Sequence, residues 1–150
     1  LSSFEGVKRR MEVYINTPEQ VYIDDYAHHP EELRATIESL RGIFPERRIM
    51  AIFQPHLYTR TRDLAEGFAE ALSLADDVVL VPIYPAREEP IEGVCSEMIG
   101  RMLTKEWTLV EREDLAEMLT KTKSDVVVTF GAGNIDVVCN DVAAALRTKL

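Results

Sequence analysis

The chain alternates between short apolar runs and longer stretches where apolar residues recur every three or four positions. VYIDD (21–25), IMAIF (49–53), DVVLVPI (77–83) and DVVVTF (125–130) are short and rich in β-branched residues. Such runs predict strands buried on both faces. WTLV (107–110) is a weaker strand of the same kind, and MEVYIN (11–16) ahead of VYIDD predicts a hairpin or a strand entering the sheet. Between them, 31–44 sets Leu33, Ile37, Leu40 and Phe44 at helical spacing behind Pro30, a good first helical residue. The stretch 61–74 sets Leu64, Phe68, Ala71 and Leu72 on one face, and 96–103, 113–121 and 135–148 complete the helices.

Strand–helix alternation predicts an α/β fold: a three-layer αβα, Rossmann-like domain on a mostly parallel sheet. No linker, repeat or low-complexity segment divides the chain, and 150 residues suit one compact domain. Ligands in open α/β sheets bind beyond the carboxyl ends of the strands. That rule selects four loops: 24–30, 54–62, 84–93 and 131–134.

Composition narrows the function classes. No apolar run approaches the roughly 20 residues of a membrane helix, and the start LSSFEGVKRRMEV has neither secretory-signal features nor a Met, so it reads as a piece of a longer chain. Cys95 and Cys139 lie far apart without metal-ligand spacing, and read as reduced thiols of a cytoplasmic protein. A formal net charge of -9 argues against a nucleic-acid or acidic-membrane surface. The cations are nevertheless clustered. His28, His29 and His56 fall in two short motifs, Arg60 and Arg62 adjoin the second, and Arg9 and Arg10 lie near the start. The clustering suits a local anion or carboxylate site, or is chance.

In Asp24-Asp25-Tyr26-Ala27-His28-His29-Pro30, two carboxylates at a strand end can accept from ribose hydroxyls or an ammonium group, or reach a metal through water. The histidines beside them offer donors to a carboxylate or phosphate. The alternative is a solvated helix N-terminus. Adjacent histidines do not readily share one ion, and no third ligand is suitably spaced, so no metal site is assigned. Asp25, at a strand end, is expected to be only partly buried.

In Phe53-Gln54-Pro55-His56-Leu57-Tyr58-Thr59-Arg60-Thr61-Arg62-Asp63, Pro55 is expected to end the ladder. His56 and Arg60 then stand on the loop or the first helical turn, facing the cleft, where a guanidinium fork suits carboxylate or phosphate. Arg62 is expected on a solvated face, paired with Asp63 or Glu66. Gly131-Ala132-Gly133-Asn134 permits a tight turn but lacks the third glycine of a dinucleotide fingerprint, and no G-x-x-x-x-G-K-[ST] phosphate loop occurs. Trp107 reads as core, and Cys95 and Ser96 as packing or helix-start residues.

GVKRRMEV (6–13), DDYAHHPEE (24–32), FQPHLYTRTRD (53–63), IYPAREEPIEGV (83–94) and FGAGNID (130–136) follow one another in the order found in Mur ligases, the enzymes of peptidoglycan precursor synthesis. The chain resembles the C-terminal domain of that family over nearly its whole length. FQPH followed by YTRTRD resembles the branch that adds L-alanine to UDP-N-acetylmuramate. The murein tripeptide ligase of cell-wall recycling is the nearest alternative, and a free-standing nucleotide-binding domain the more distant one.

The resemblance implies three domains in the whole protein: one for the UDP sugar, a central one with the phosphate loop and magnesium ligands, and a six-stranded closing domain, to which this chain corresponds. It implies a bacterial, cytoplasmic ligase using ATP and Mg2+, mainly held by the central domain. An acyl phosphate forms on the muramoyl carboxylate, and the L-alanine amine displaces phosphate. By motif, Arg10 and Asp25 correspond to positions that contact ATP. Tyr26, His28, His56 and Arg60 correspond to positions lining the site where amino acid and muramoyl end meet, with His28, His56 and Arg60 nearest the chemistry. Some relatives carry arginine where this chain has Leu57, and aspartate then glycine where it has Asn134 and Asp136. These three are left out of the site.

Overall fold

The computed structural model describes residues 11–149. Six strands form one sheet: β1 (Met11–Asn16), β2 (Val21–Asp25), β3 (Ile49–Phe53), β4 (Asp77–Leu80), β5 (Trp107–Leu109) and β6 (Val126–Phe130). Their order is β1-β2-β6-β3-β4-β5. β1 pairs antiparallel with β2, and all other pairs are parallel. The last strand in the chain therefore lies between the second and the third.

Side chains alternate across the strands, so each apolar run feeds two cores. Val21, Ile23, Ile49, Ala51, Phe53, Val78, Leu80, Val126, Val128 and Phe130 pack in one cluster. Tyr22, Ile52, Val79, Val81 and Val127 belong to the other. Helices α1 (Pro30–Ile43) and α2 (Tyr58–Leu72), with the single turn α3 (Glu97–Gly100), cover the first face. Leu33, Ile37 and Leu40 of α1 and Phe68, Ala71 and Leu72 of α2 are buried there, while Leu64 and Phe44 are half-buried. The Phe53 and Phe68 rings lie 4.7 Å apart. Helices α4 (Leu115–Leu119) and α5 (Cys139–Thr148) cover the other face. The three-layer αβα arrangement is the one the sequence predicts.

Several boundaries differ from those expectations. β4 ends at Leu80, not 83, because Pro82 has no N–H for a ladder. Helix α2 starts at Tyr58, three residues early, for a reason given below. The helices expected at 113–121 and 135–148 each open with a 3-10 turn, Arg112–Asp114 and Ile135–Val138. Trp107 packs on the first core and Cys139 is buried in the second. Among the described residues no helix is long and apolar enough to cross a membrane.

Candidate functional site

The loop after β2 is built around two carboxylates with different surroundings. Asp25 is 1% exposed, not partly buried as expected. Its Oδ1 accepts the Ala27 N–H at 3.0 Å and its Oδ2 the Thr36 hydroxyl at 2.5 Å. One carboxylate thus ties the turn to α1, which draws it inward. Asp25 still borders a shallow cleft with Met11, Ala27, Glu32 and Thr36. Asp24 points to the opposite face, where its Oδ1 accepts the Thr129 hydroxyl at 2.6 Å. Thr129 also pairs with the Tyr22 hydroxyl at 3.0 Å. Burial is the main effect and raises the Asp24 pKa, against the Thr129 hydrogen bond, which lowers it. Asp24 is therefore part of a buried polar cluster and turns away from the cleft.

The histidine pair stands at a helix start, the alternative the sequence left open. Glu32 Oε1 accepts the main-chain N–H groups of His28 (3.0 Å) and His29 (3.2 Å), so this loop is a capped helix start. His29 is exposed, whereas His28 is half-buried and meets the Tyr26 ring edge-on at 5.6 Å. His28 Nδ1 lies 3.2 Å from the Tyr26 carbonyl oxygen. A carbonyl only accepts, so Nδ1 carries the proton and donates. In neutral imidazole that leaves Nε2 as the lone-pair atom.

The loop after β3 carries the second cluster. β3 stops at Phe53, ahead of Pro55, as expected, but beyond that break the Pro55 carbonyl accepts the Tyr84 N–H at 2.8 Å, and Leu57 N–H donates to the Tyr84 oxygen at 2.9 Å. Proline lacks a donor but keeps its acceptor, so the parallel bridge re-forms at His56 and Tyr84. Leu57 then adopts φ 74°, a left-handed conformation unusual for a side chain of its size, and α2 begins. His56 stands on the loop, and Arg60 stands in the first helical turn. The Arg60 Nη1 lies 3.1 Å from His56 Nδ1. A guanidinium only donates, so Nδ1 accepts and the His56 proton resides on Nε2. Burial chiefly, then Arg60 and His28, lower the His56 pKa, while Glu88 raises it. His56 is thus a neutral Nε2–H donor near neutral pH.

The two loops are held together from below. Gly67 of α2 faces Pro30, and a Cβ there would stand 3.0–3.1 Å from the proline ring. That close approach brings the start of α1 to α2, and His28 into the electrostatic surroundings of His56. Tyr26, His28, His56 and Arg60 accordingly share the carboxyl end of the sheet. Arg62 is exposed, with its Nε 2.9 Å from Asp63 Oδ1, as expected of a solvated face. Arg10 lies outside the described residues.

Sequence reasoning passed over three supporting residues. Helix α2 has Leu57 at its N-cap and no acidic residue in its first turn. Glu88, from the loop after β4, supplies both missing elements. It accepts the N–H groups of Tyr58 (2.6 Å) and Thr59 (3.1 Å) and the Thr59 hydroxyl (2.5 Å). This cap lets the helix start early. The signal available was an uncapped helix start with a carboxylate in a flagged loop. Gln54 donates to Asn134 Oδ1 at 2.8 Å and accepts the Ile135 N–H at 3.1 Å, joining the loops after β3 and β6. Tyr84 stacks on His56, with ring centroids 5.6 Å apart and planes 15° apart. Among the described residues, no three His, Cys, Asp or Glu side chains gather as metal ligands would.

Comparison with known proteins gives a consistent picture. Residues 9–133 match the family described as Mur ligase, glutamate ligase domain. The UDP-N-acetylmuramate–L-alanine ligase of Flavobacterium psychrophilum is 44% identical over 99% of this chain and 34% of its own length. That of Porphyromonas gingivalis is 47% identical, again over 99% of this chain and 33% of its own length. The chain thus spans about a third of the curated relatives it matches. Among solved structures, the UDP-N-acetylmuramate-alanine ligase of Thermotoga maritima superimposes with a TM-score of 0.70 at 30% identity, over 95% of this chain and 30% of that one. A murein peptide ligase from Psychrobacter arcticus gives a TM-score of 0.72 at 21% identity, a likeness of fold, over 93% of this chain and 30% of that one.

Proposed function

This chain belongs to the Mur ligase family, and from that premise we propose that it is the C-terminal, substrate-closing domain of an ATP-dependent ligase joining L-alanine to UDP-N-acetylmuramate. The observation that carries the choice of substrate is the 43–49% identity to L-alanine ligases across nearly the whole chain. The murein tripeptide reading rests on a likeness of fold alone. The partners in this reading are UDP-N-acetylmuramate, L-alanine, ATP with Mg2+, and the ligase's own N-terminal and central domains, in the bacterial cytoplasm.

The roles follow from the donor and acceptor inventory. ATP supplies the phosphoryl group that activates the muramoyl carboxylate. The chain's carboxylates suit the margin of a nucleotide site: Asp25 fixes the wall of its cleft by holding Ala27 and Thr36, and Arg10 adds a cation from the adjoining segment. Arg60 provides a charged fork for a carboxylate or phosphate oxygen. His56, neutral and protonated at Nε2, donates to an oxygen gaining negative charge. His28 presents Nε2 as an acceptor, suited to the proton that the amine of L-alanine gives up on attack. Tyr26 lines the same end. A donor and an acceptor imidazole at one strand end suit amide formation, where one oxygen gains charge while one nitrogen loses a proton. No covalent nucleophile is assigned.

The test is reconstitution. The full-length protein is incubated with UDP-N-acetylmuramate, ATP, Mg2+ and L-alanine, glycine or the murein tripeptide, and phosphate release is followed. Release that depends on L-alanine supports the reading, and release that depends on the tripeptide overturns it. The 150-residue chain alone, which contains no phosphate-loop motif, should release none.

A further inference from the structure

His56 sits on a loop, where no helix fixes its ring, yet the site needs its Nε2–H aimed. The loop after β4 reaches it by two routes. The first is Tyr84. Its main chain is tied to both neighbours of His56, accepting from Leu57 and donating to Pro55, while its ring lies nearly parallel to the imidazole. The same ring is confined by the loop after β6: a Cβ on Gly133 would stand 2.6 Å from Tyr84 Cγ. Glycine there leaves room for the ring where any side chain would collide with it. Among the described residues the Tyr84 hydroxyl makes no hydrogen bond, so the ring acts by its shape. The second route is Glu88, whose carboxylate takes the first amides of the helix that carries Arg60.

We propose that Tyr84 and Glu88 are positioning residues for the His56–Arg60 pair: Tyr84 sets the plane of the imidazole, and Glu88 sets the start of the helix that presents the guanidinium. Its catalytic consequence rests on the function proposed above, whereas its geometric part does not. The charged and titratable groups facing His56 are Arg60 from α2, His28 from the loop after β2 and Glu88 from the loop after β4. Removing the Tyr84 ring admits water to His56 and raises its titration towards the ordinary value. Removing the Glu88 charge takes away the one influence here that favours the imidazolium, and lowers it.

The experiment is an NMR titration of the histidine ring protons in the 150-residue chain, with His56 assigned by His56→Gln. Tyr84→Phe should titrate as the parent does, Tyr84→Ala at higher pH, and Glu88→Gln at lower pH. Tyr84→Leu, which keeps apolar volume without the ring plane, serves if the alanine variant does not fold. In the full-length protein, Tyr84→Ala should lower kcat by roughly tenfold to a hundredfold, the scale of a misplaced catalytic group. KM for ATP should hold, and Tyr84→Phe should restore turnover. Unchanged titration in both Tyr84→Ala and Glu88→Gln overturns the proposal, as does Tyr84→Phe failing to restore turnover. Shifted titrations with no L-alanine-dependent turnover in the parent would uphold the positioning and sink the ligase reading instead.

Discussion

Replacing Asp25 by alanine removes an acceptor that is 1% exposed and holds at least two donors, the Ala27 amide and the Thr36 hydroxyl. Ala27 is itself buried, so its N–H has no solvent to turn to. A buried donor stripped of its partner costs about 1–3 kcal/mol. The Thr36 hydroxyl can rotate and recover part of its share, so the sum for the two donors is about 2–4 kcal/mol. For a domain of this size each kcal/mol moves Tm by about 2–4 °C, giving a fall of roughly 4–16 °C. Asp25→Asn keeps Oδ1 for Ala27 and turns an amide towards Thr36, whose hydroxyl can then accept, so it should lose clearly less. The assay is thermal unfolding of the 150-residue chain followed by circular dichroism. Thr36→Val, alone and combined with Asp25→Asn, isolates the Thr36 bond by a double-mutant cycle. An alanine variant melting within a degree or two of the parent would refute the view that this carboxylate is a structural tie.

Three further outcomes are expected. In the full-length protein, His56→Ala and Arg60→Ala should each lose about 2.7–4 kcal/mol of transition-state stabilisation, a hundredfold or more in kcat, with Arg62→Ala near the parent; equal damage from Arg62→Ala would show the helix face misplaced. Because the folded pKa of Asp24 is raised, folding favours its protonated form, so stability is lost as pH rises from 3.8 through the raised value. Asp24→Asn should flatten Tm against pH in that window and leave neutral-pH Tm equal or higher, and a lower neutral Tm would show that the ionised form is the stabilising one. Gly100→Ala would set a Cβ 2.5–2.6 Å from the Trp107 ring, an overpacking that costs about 1–3 kcal/mol; unchanged near-ultraviolet dichroism and Tm would contradict it.

What the sequence made legible is what repeats along the chain. Continuous apolar runs such as Ile49–Phe53 and helical spacings such as Leu33–Ile37–Leu40 report burial directly, so layers and element types followed from pattern. The loops at the carboxyl end of the sheet followed from strand–helix order, and Tyr26, His28, His56 and Arg60 lie there. Contacts between distant segments were not legible. Glu88 caps a helix that starts thirty residues earlier, from Tyr58, and no local spacing encodes that. Asp24 and Asp25 look equivalent in sequence, yet the strand turns one to Thr129 and the other to Thr36. The ladder breaks ahead of Pro55 as expected, but the isolated bridge beyond it was not legible, because it uses the proline carbonyl and not an amide.

The place of β6 has a consequence for how the molecule comes into being. β2 and β3 share no hydrogen-bonded edge, since each pairs with β6 on opposite sides. A ribosome emitting this chain therefore releases two separate pieces: a hairpin of β1 and β2, and a ladder of β3, β4 and β5. Both present raw edges until residues 126–130 emerge to be inserted between them. The loops carrying His28 and His56 belong to different pieces and come into register only at that insertion. A nascent product stalled before Val126 would expose two unpaired strand edges, a form suited to capture by chaperones or to aggregation.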